Sequence, residues 1–172
     1  MILSGNCPSS KNSRRVVPYK KIVYDKATGK KFERTVPMVL KSEYCMKWER
    51  IAKIELKNWL QKHSEDIKTF KESMNYPIFV LFYYYRKDVR QFDYNNMTQE
   101  IQDLLVGHGV FADDSCDYMI PISCGYELDR DNPRTEVVFV NRNDSNTPIA
   151  VPDNWAKTRI SFIHPLGFTK TE

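Results

Sequence analysis

Five aspartates, Asp93, Asp103, Asp113, Asp114 and Asp117, fall in the stretch from Phe92 to Tyr118, FDYNNMTQEIQDLLVGHGVFADDSCDY. Carboxylates gathered this way hold hard divalent cations or transfer protons. They also occur on the solvated face of an ordinary surface helix, and composition alone leaves both readings open. The apolar run YPIFVLFYYY, Tyr76 to Tyr85, leads the chain into this stretch, so the acids emerge at the edge of a buried core. Thiol and imidazole chemistry has less to work with. Cys7, Cys45, Cys116 and Cys124 contain no C-x-x-C pair, and His63, His108 and His164 do not cluster near them, which argues against zinc. The cysteines read as reduced, partly buried side chains of an intracellular protein.

Behind a net charge of +4 lies a strong asymmetry. Residues 1 to 35 carry Lys11, Arg14, Arg15, Lys20, Lys21, Lys26, Lys30, Lys31 and Arg34 against Asp25 and Glu33, whereas from 93 to 131 the only base is Arg130. A basic arm beside an acidic centre suits a protein that grips phosphates with one part and cations with another. In the polar loop SGNCPSSKNSRR, Lys11, Asn12, Arg14 and Arg15 are candidate phosphate contacts. Arg86, Lys87 and Arg90 follow the apolar run directly, placed either to contact phosphate or to neutralise the aspartates. A basic hairpin kept soluble by its lysines is the plainer reading of the arm.

The elements that must position these groups follow from periodicity. Two β-rich arms, Val16 to Tyr24 and Phe32 to Leu40, flank a turn containing Gly29 and predict a hairpin. Ser42 predicts the cap of a helix reaching about His63, with Cys45, Trp48, Ala52, Leu56 and Trp59 on its core stripe. Residues 64 to 75 read as a connecting turn or short helical piece. The unalternating run Tyr76 to Tyr85 predicts a central strand covered on both faces. Asn95 or Asn96 is the expected cap of a helix with Met97, Ile101 and Leu104 on one face and Asn96, Gln99, Glu100 and Asp103 on the other. Cys116 to Ser123 and Thr135 to Arg142 read as strands, separated by a polar loop from Gly125 to Pro133. The expected fold is therefore α+β, a mixed β-sheet packed by two main helices, with an N-terminal hairpin and a C-terminal extension. Residues 1–142 form the expected domain and 143–172 the extension. The longest apolar run is about ten residues against the roughly 20 that span a bilayer, so no membrane partner is expected and the protein reads as soluble and cytoplasmic.

These residues resemble the RusA family of Holliday junction resolvases, whose pattern is D-x-D-N-x-x-K, an aspartate four residues on, and a glycine-led segment ending in D-D. Here it reads Asp93-Tyr94-Asn95-Asn96-Met97-Thr98-Gln99, then Asp103, then Gly109-Val110-Phe111-Ala112-Asp113-Asp114. The early segment Pro8 to Arg14 also fits, and the resemblance spans about residues 8 to 142. It implies an α+β domain that forms a homodimer, binds branched DNA and cuts it with Mg²⁺, for which Mn²⁺ can substitute. The positions it marks as catalytic are Asp93, Asp114, Asp103, Asn95 and Gln99, with Asp93, Asp114, Asn95 and Asp113 as metal ligands. The family's second aspartate is Asn95 here and its lysine is Gln99, so a DNA-binding protein with impaired catalysis is the first alternative. A structural or interaction protein with a solvated acidic helix is the second. The resemblance also implies a bacterial or phage-infected cell as the setting.

Overall fold

The computed structural model describes residues 1–9, 14–141, 149–150 and 162–163. Its central element is β4, Ile78–Arg86, buried at every position. Side chains alternate across a strand. Ile78, Val80, Phe82 and Tyr84 enter the core cluster shared with the helices, while Phe79, Leu81, Tyr83 and Tyr85 enter a second cluster with Cys124. That division explains an apolar run without alternation: both faces of the strand are covered.

Around β4 the four-stranded sheet runs in the order β1-β6-β4-β5. β5, Met119–Leu128, is parallel to β4. β6, Arg134–Val140, is antiparallel to it and to the edge strand β1, Ile2–Ser4. The sheet is mixed, as the α+β reading requires. β5 starts later and runs further than the expected Cys116 to Ser123, because Gly125 is not the start of a loop. The register against β4 shifts between Phe82 and Tyr83, and Gly125 sits there at φ +138, where an added Cβ would lie 3.3 Å from Tyr83 Cε2. A glycine bulge carries the strand past the tyrosine ring.

The N-terminal hairpin forms from β2, Arg14–Tyr24, and β3, Lys31–Lys41, in register from Arg14 opposite Lys41 to Tyr24 opposite Lys31. Asp25 closes its turn by accepting from the Ala27 amide at 2.8 Å, and Gly29 supplies the left-handed position at φ +68. Neither strand contains a fully buried residue. The ribbon therefore stands away from the core and is held at its base.

Ser42 then caps α1, Glu43–Lys62, its Oγ accepting from the Cys45 amide at 3.2 Å. Cys45, Trp48, Ala52 and Leu56 form the buried stripe. The polar segment that follows is the short helix α2, Ser64–Glu72, with no buried residue. α3, Tyr94–Gly107, is the second core helix. A two-stranded pair, β7 Ile149–Ala150 and β8 Phe162–Ile163, completes the described elements. Most of the expected C-terminal extension lies outside the described residues, as do Lys11, Asn12 and Arg142. No helix among the described residues is long and apolar enough to cross a membrane.

Candidate functional site

α3 sets the geometry of the acidic stretch. Its cap is Asp93, not Asn95 or Asn96: Oδ1 accepts from the Asn95 amide at 2.9 Å and Oδ2 from Asn96 Nδ2 at 3.1 Å. An ionised cap satisfies a terminal amide and favours the positive end of the helix dipole. Both Asp93 oxygens consequently have partners within the helix terminus, although the residue is exposed.

Helical spacing then brings Asn95, Thr98, Gln99 and Gln102 to one side. With Asp114, Pro121 and Ser123 they line an open cleft of about 340 Å³. Three positions singled out in the sequence, Asn95, Gln99 and Asp114, thus share a wall-to-wall space; Asp93 does not line it. The cleft floor is anchored to the core, since the buried Tyr84 hydroxyl lies 2.7 Å from Thr98 Oγ1, which lies 3.4 Å from Ser123 Oγ. Burial raises the Tyr84 phenol well above its ordinary pKa and keeps it a neutral hydrogen-bonding group.

The loop after α3 returns the chain to this cleft. Gly109, at φ +68, donates to the Val106 carbonyl at 2.9 Å and Val110 donates to Leu105 at 3.0 Å, a left-handed helix stop. Phe111 is buried and meets Phe139 edge-on, with ring centroids 5.7 Å apart. That anchor fixes Asp113 and Asp114 just beyond it. The Asp114 amide donates to Asp113 Oδ1 at 2.9 Å, so Asp113 supports the loop while Asp114 faces the cleft.

One helical turn beyond Gln99, Asp103 lines the adjoining space with Arg14, Lys41, Gln99 and Glu100. Burial raises its carboxyl pKa, and the charges of Asp114 and Glu100 raise it further. Glu100 departs from its expected place on the polar face, being only 2% exposed. The reason is Lys41 at the end of β3, whose Nζ lies 2.5 Å from Glu100 Oε1 and 3.1 Å from Glu49 Oε2. Glu100 Oε2 is buried with no donor among the described residues. Sequence reasoning missed this pair, and the only signal for it was an acid one residue from the core position Ile101. Asn96, also assigned to the polar face, is buried beneath the Asp93 cap.

The cations behave differently from one another. Arg15 pairs with Glu43 at 2.8 Å on the exposed surface. Arg14 stands at the hairpin base beside Gln99 and Asp103. Arg86 is 6% exposed, with its guanidinium carbon 4.2 Å from the Phe92 ring centroid and Nη2 3.2 Å from Asp88. Its Nε is buried without an acceptor among the described residues, a state that costs about 1–3 kcal/mol when nothing fills it. Arg86, Lys87 and Arg90 line a second cleft, apart from the one around Asp114.

Oxygen donors dominate the space around Asp114: one carboxylate, three side-chain amides and two hydroxyls. This set fits a hard divalent cation and not a thiophilic one. Among the described residues, no group of three or more His, Cys, Asp or Glu side chains is arranged to hold a metal ion. A sequence profile of the family Endodeoxyribonuclease RusA matches residues 7–139. No curated protein matches the sequence.

Proposed function

The chain belongs to the RusA endodeoxyribonuclease family, and from that premise we propose that it is a metal-dependent, structure-selective endonuclease acting on branched DNA such as Holliday junctions, in recombination, repair or phage DNA processing. One observation carries the reading. Asn95 and Gln99 on α3 and Asp114 from the following loop line a single open cleft, although up to 19 positions separate them in the chain.

In this reading Asp114 and the Asn95 side-chain oxygen hold the cation, with Asp93 at the adjoining helix terminus. When bound, the cation polarises the scissile phosphate and lowers the pKa of the attacking water. Mg²⁺ is commonly held by only one or two carboxylates with waters and substrate phosphate, so a sparse donor set is compatible with it. Gln99 and Gln102 hydrogen-bond phosphate or sugar oxygens and orient the strand, and the Tyr84–Thr98–Ser123 chain holds that face of α3 against β5. Asp103, its carboxyl pKa raised by burial and by the charges of Asp114 and Glu100, holds a proton more readily than an ordinary carboxylate. The basic hairpin, Arg14, Arg15, Arg86, Lys87 and Arg90 contact the DNA backbone, and Lys11 and Asn12 belong to the same basic segment. A homodimer supplies two such sites for paired cuts in opposed strands.

Incubation with synthetic junctions, forks and plain duplex in Mg²⁺ or Mn²⁺ tests the proposal. Cutting of branched DNA that disappears with Asp114→Asn is the expected result; cutting that survives that substitution, or none with either metal, overturns it.

A second reading has its own support. Asn95 and Gln99 are neutral where the family pattern carries an aspartate and a lysine, which leaves a protein that binds branched DNA with impaired catalysis. Junction binding without cutting, with cutting restored by Asn95→Asp, would select it.

A further inference from the structure

A second cleft, about 430 Å³, is lined by Asn6–Ser9, Tyr44, the segment Arg86–Phe92 without Val89, and Met97. It shares no lining residue with the cleft around Asp114. We infer that it is a separate phosphate site, one that holds nucleic-acid backbone on its way to the catalytic cleft. The inference rests on the nuclease reading above, and it names where that protein grips its substrate.

Charge comes first. Arg86, Lys87 and Arg90 line the cleft against the single carboxylate of Asp88. Asp88 is already committed, because its Oδ1 accepts from Arg86 Nη2 at 3.2 Å and from the Arg90 amide at 3.1 Å. It orients this part of the rim, and three cations against one carboxylate leave the cleft net positive.

The floor supplies the second argument. Arg86 is locked between the Phe92 ring and Asp88, and its Nη1 donates to the weak acceptor Met97 Sδ at 3.3 Å. Its Nε has no acceptor among the described residues. The buried guanidinium is held by one carboxylate and still has donor capacity left over, and its planar fork matches phosphate oxygens. Around it, the Tyr44 hydroxyl donates to the Asn6 carbonyl and Asn6 Oδ1 accepts from the Lys87 amide at 3.4 Å, so the rim is tied together across the chain. Phe92 immediately precedes the α3 cap Asp93, which leads a strand held here past the start of α3. The occupant's phosphate is either a backbone diester or a terminal monoester.

Lys87 and Arg90 are exposed, so removing them leaves the fold intact. Binding of a fluorescent four-way junction to the full chain, measured in EDTA over a potassium chloride titration, provides the test. The pair Lys87→Ala and Arg90→Ala should weaken binding at least tenfold and reduce the slope of log K against log salt by about 1.8, two phosphates at roughly 0.9 each. Arg86→Lys, which keeps the charge and loses the fork, should weaken binding several-fold with the slope unchanged. The pair Lys47→Ala and Lys57→Ala on the exposed face of α1 should change affinity less than twofold. An unchanged slope in the first pair, an equal loss in the α1 pair, or no junction binding by the wild-type chain overturns the site. Junctions with 5′-phosphate and 5′-hydroxyl ends identify the source: an effect confined to the former assigns a terminal monoester, and an equal effect assigns the diester. Failure of the wild-type chain to cut in Mg²⁺ or Mn²⁺ counts against the nuclease reading alone, because the slope is read without metal.

Discussion

Lys41 Nζ lies 2.5 Å from Glu100 Oε1, joining the last residue of β3 to the middle of α3. Burial pulls the Lys41 pKa down, but its hydrogen bonds to Glu100 and Glu49 outweigh that effect and leave it above the ordinary lysine value. The base of the basic hairpin is thus fixed one residue from Gln99, and the ribbon's position is set relative to the cleft.

Breaking the pair from the lysine side strands a buried carboxylate. Lys41→Met should cost about 2 kcal/mol of stability, the range for an unsatisfied buried group reduced for a partly exposed partner. Urea denaturation measures it. The double variant with Glu100→Gln should recover much of the loss, because the stranded charge is gone.

Lys41 also fixes a pH dependence. Its folded-state pKa is raised, so its contribution is complete below the unfolded pKa, near 10.4, and is lost as pH rises through the folded value. Thermal melts above pH 10 should show a steeper decline for the wild type than for Lys41→Met.

Asp103 has the opposite sense among the carboxyls. Its folded pKa is raised by burial and by Asp114 and Glu100, so its ionisation opposes folding and the penalty disappears as pH falls through the folded pKa. Asp103→Asn should stabilise the protein slightly at neutral pH, with the difference vanishing in acid. Equal melting temperatures at pH 7 would contradict it.

The structural and chemical roles of Asp93 are separable. Asp93→Ala removes the α3 cap and should cost about 1 kcal/mol, whereas Asp93→Ser keeps a capping oxygen and should cost a few tenths. If the carboxylate also holds metal, Asp93→Ser loses cleavage while retaining stability. Denaturation and single-turnover cleavage on the same samples separate the two roles.

Gly125 tests the bulge. Gly125→Ala forces a side chain into φ +138 and against Tyr83 at 3.3 Å, and should destabilise by about 1–3 kcal/mol. A neutral result would mean that β5 can repair its register against β4 without the glycine.

Much of the architecture was legible in the chain itself, because the signals involved are local. Two β-rich arms around a glycine turn fixed the hairpin, Ser42 and a three-to-four spacing fixed α1, and an unbroken apolar run identified the strand covered on both faces. The order of acid, helix, glycine and acid pair between Asp93 and Asp114 was equally readable, and so was its resemblance to a nuclease family. The folded structure decided which partners each side chain met, some of them close in sequence and others distant. Asp93 became a cap because Asn95 and Asn96 offered donors to both its oxygens, and Glu100 went inside because Lys41, 59 residues earlier, came to meet it. Gly125 became a bulge because the Tyr83 ring occupies the space of its missing side chain. Arg86 was drawn to the floor of a cleft by Phe92 and Asp88, which is a matter of packing and charge that the spacing of bases along the chain does not encode.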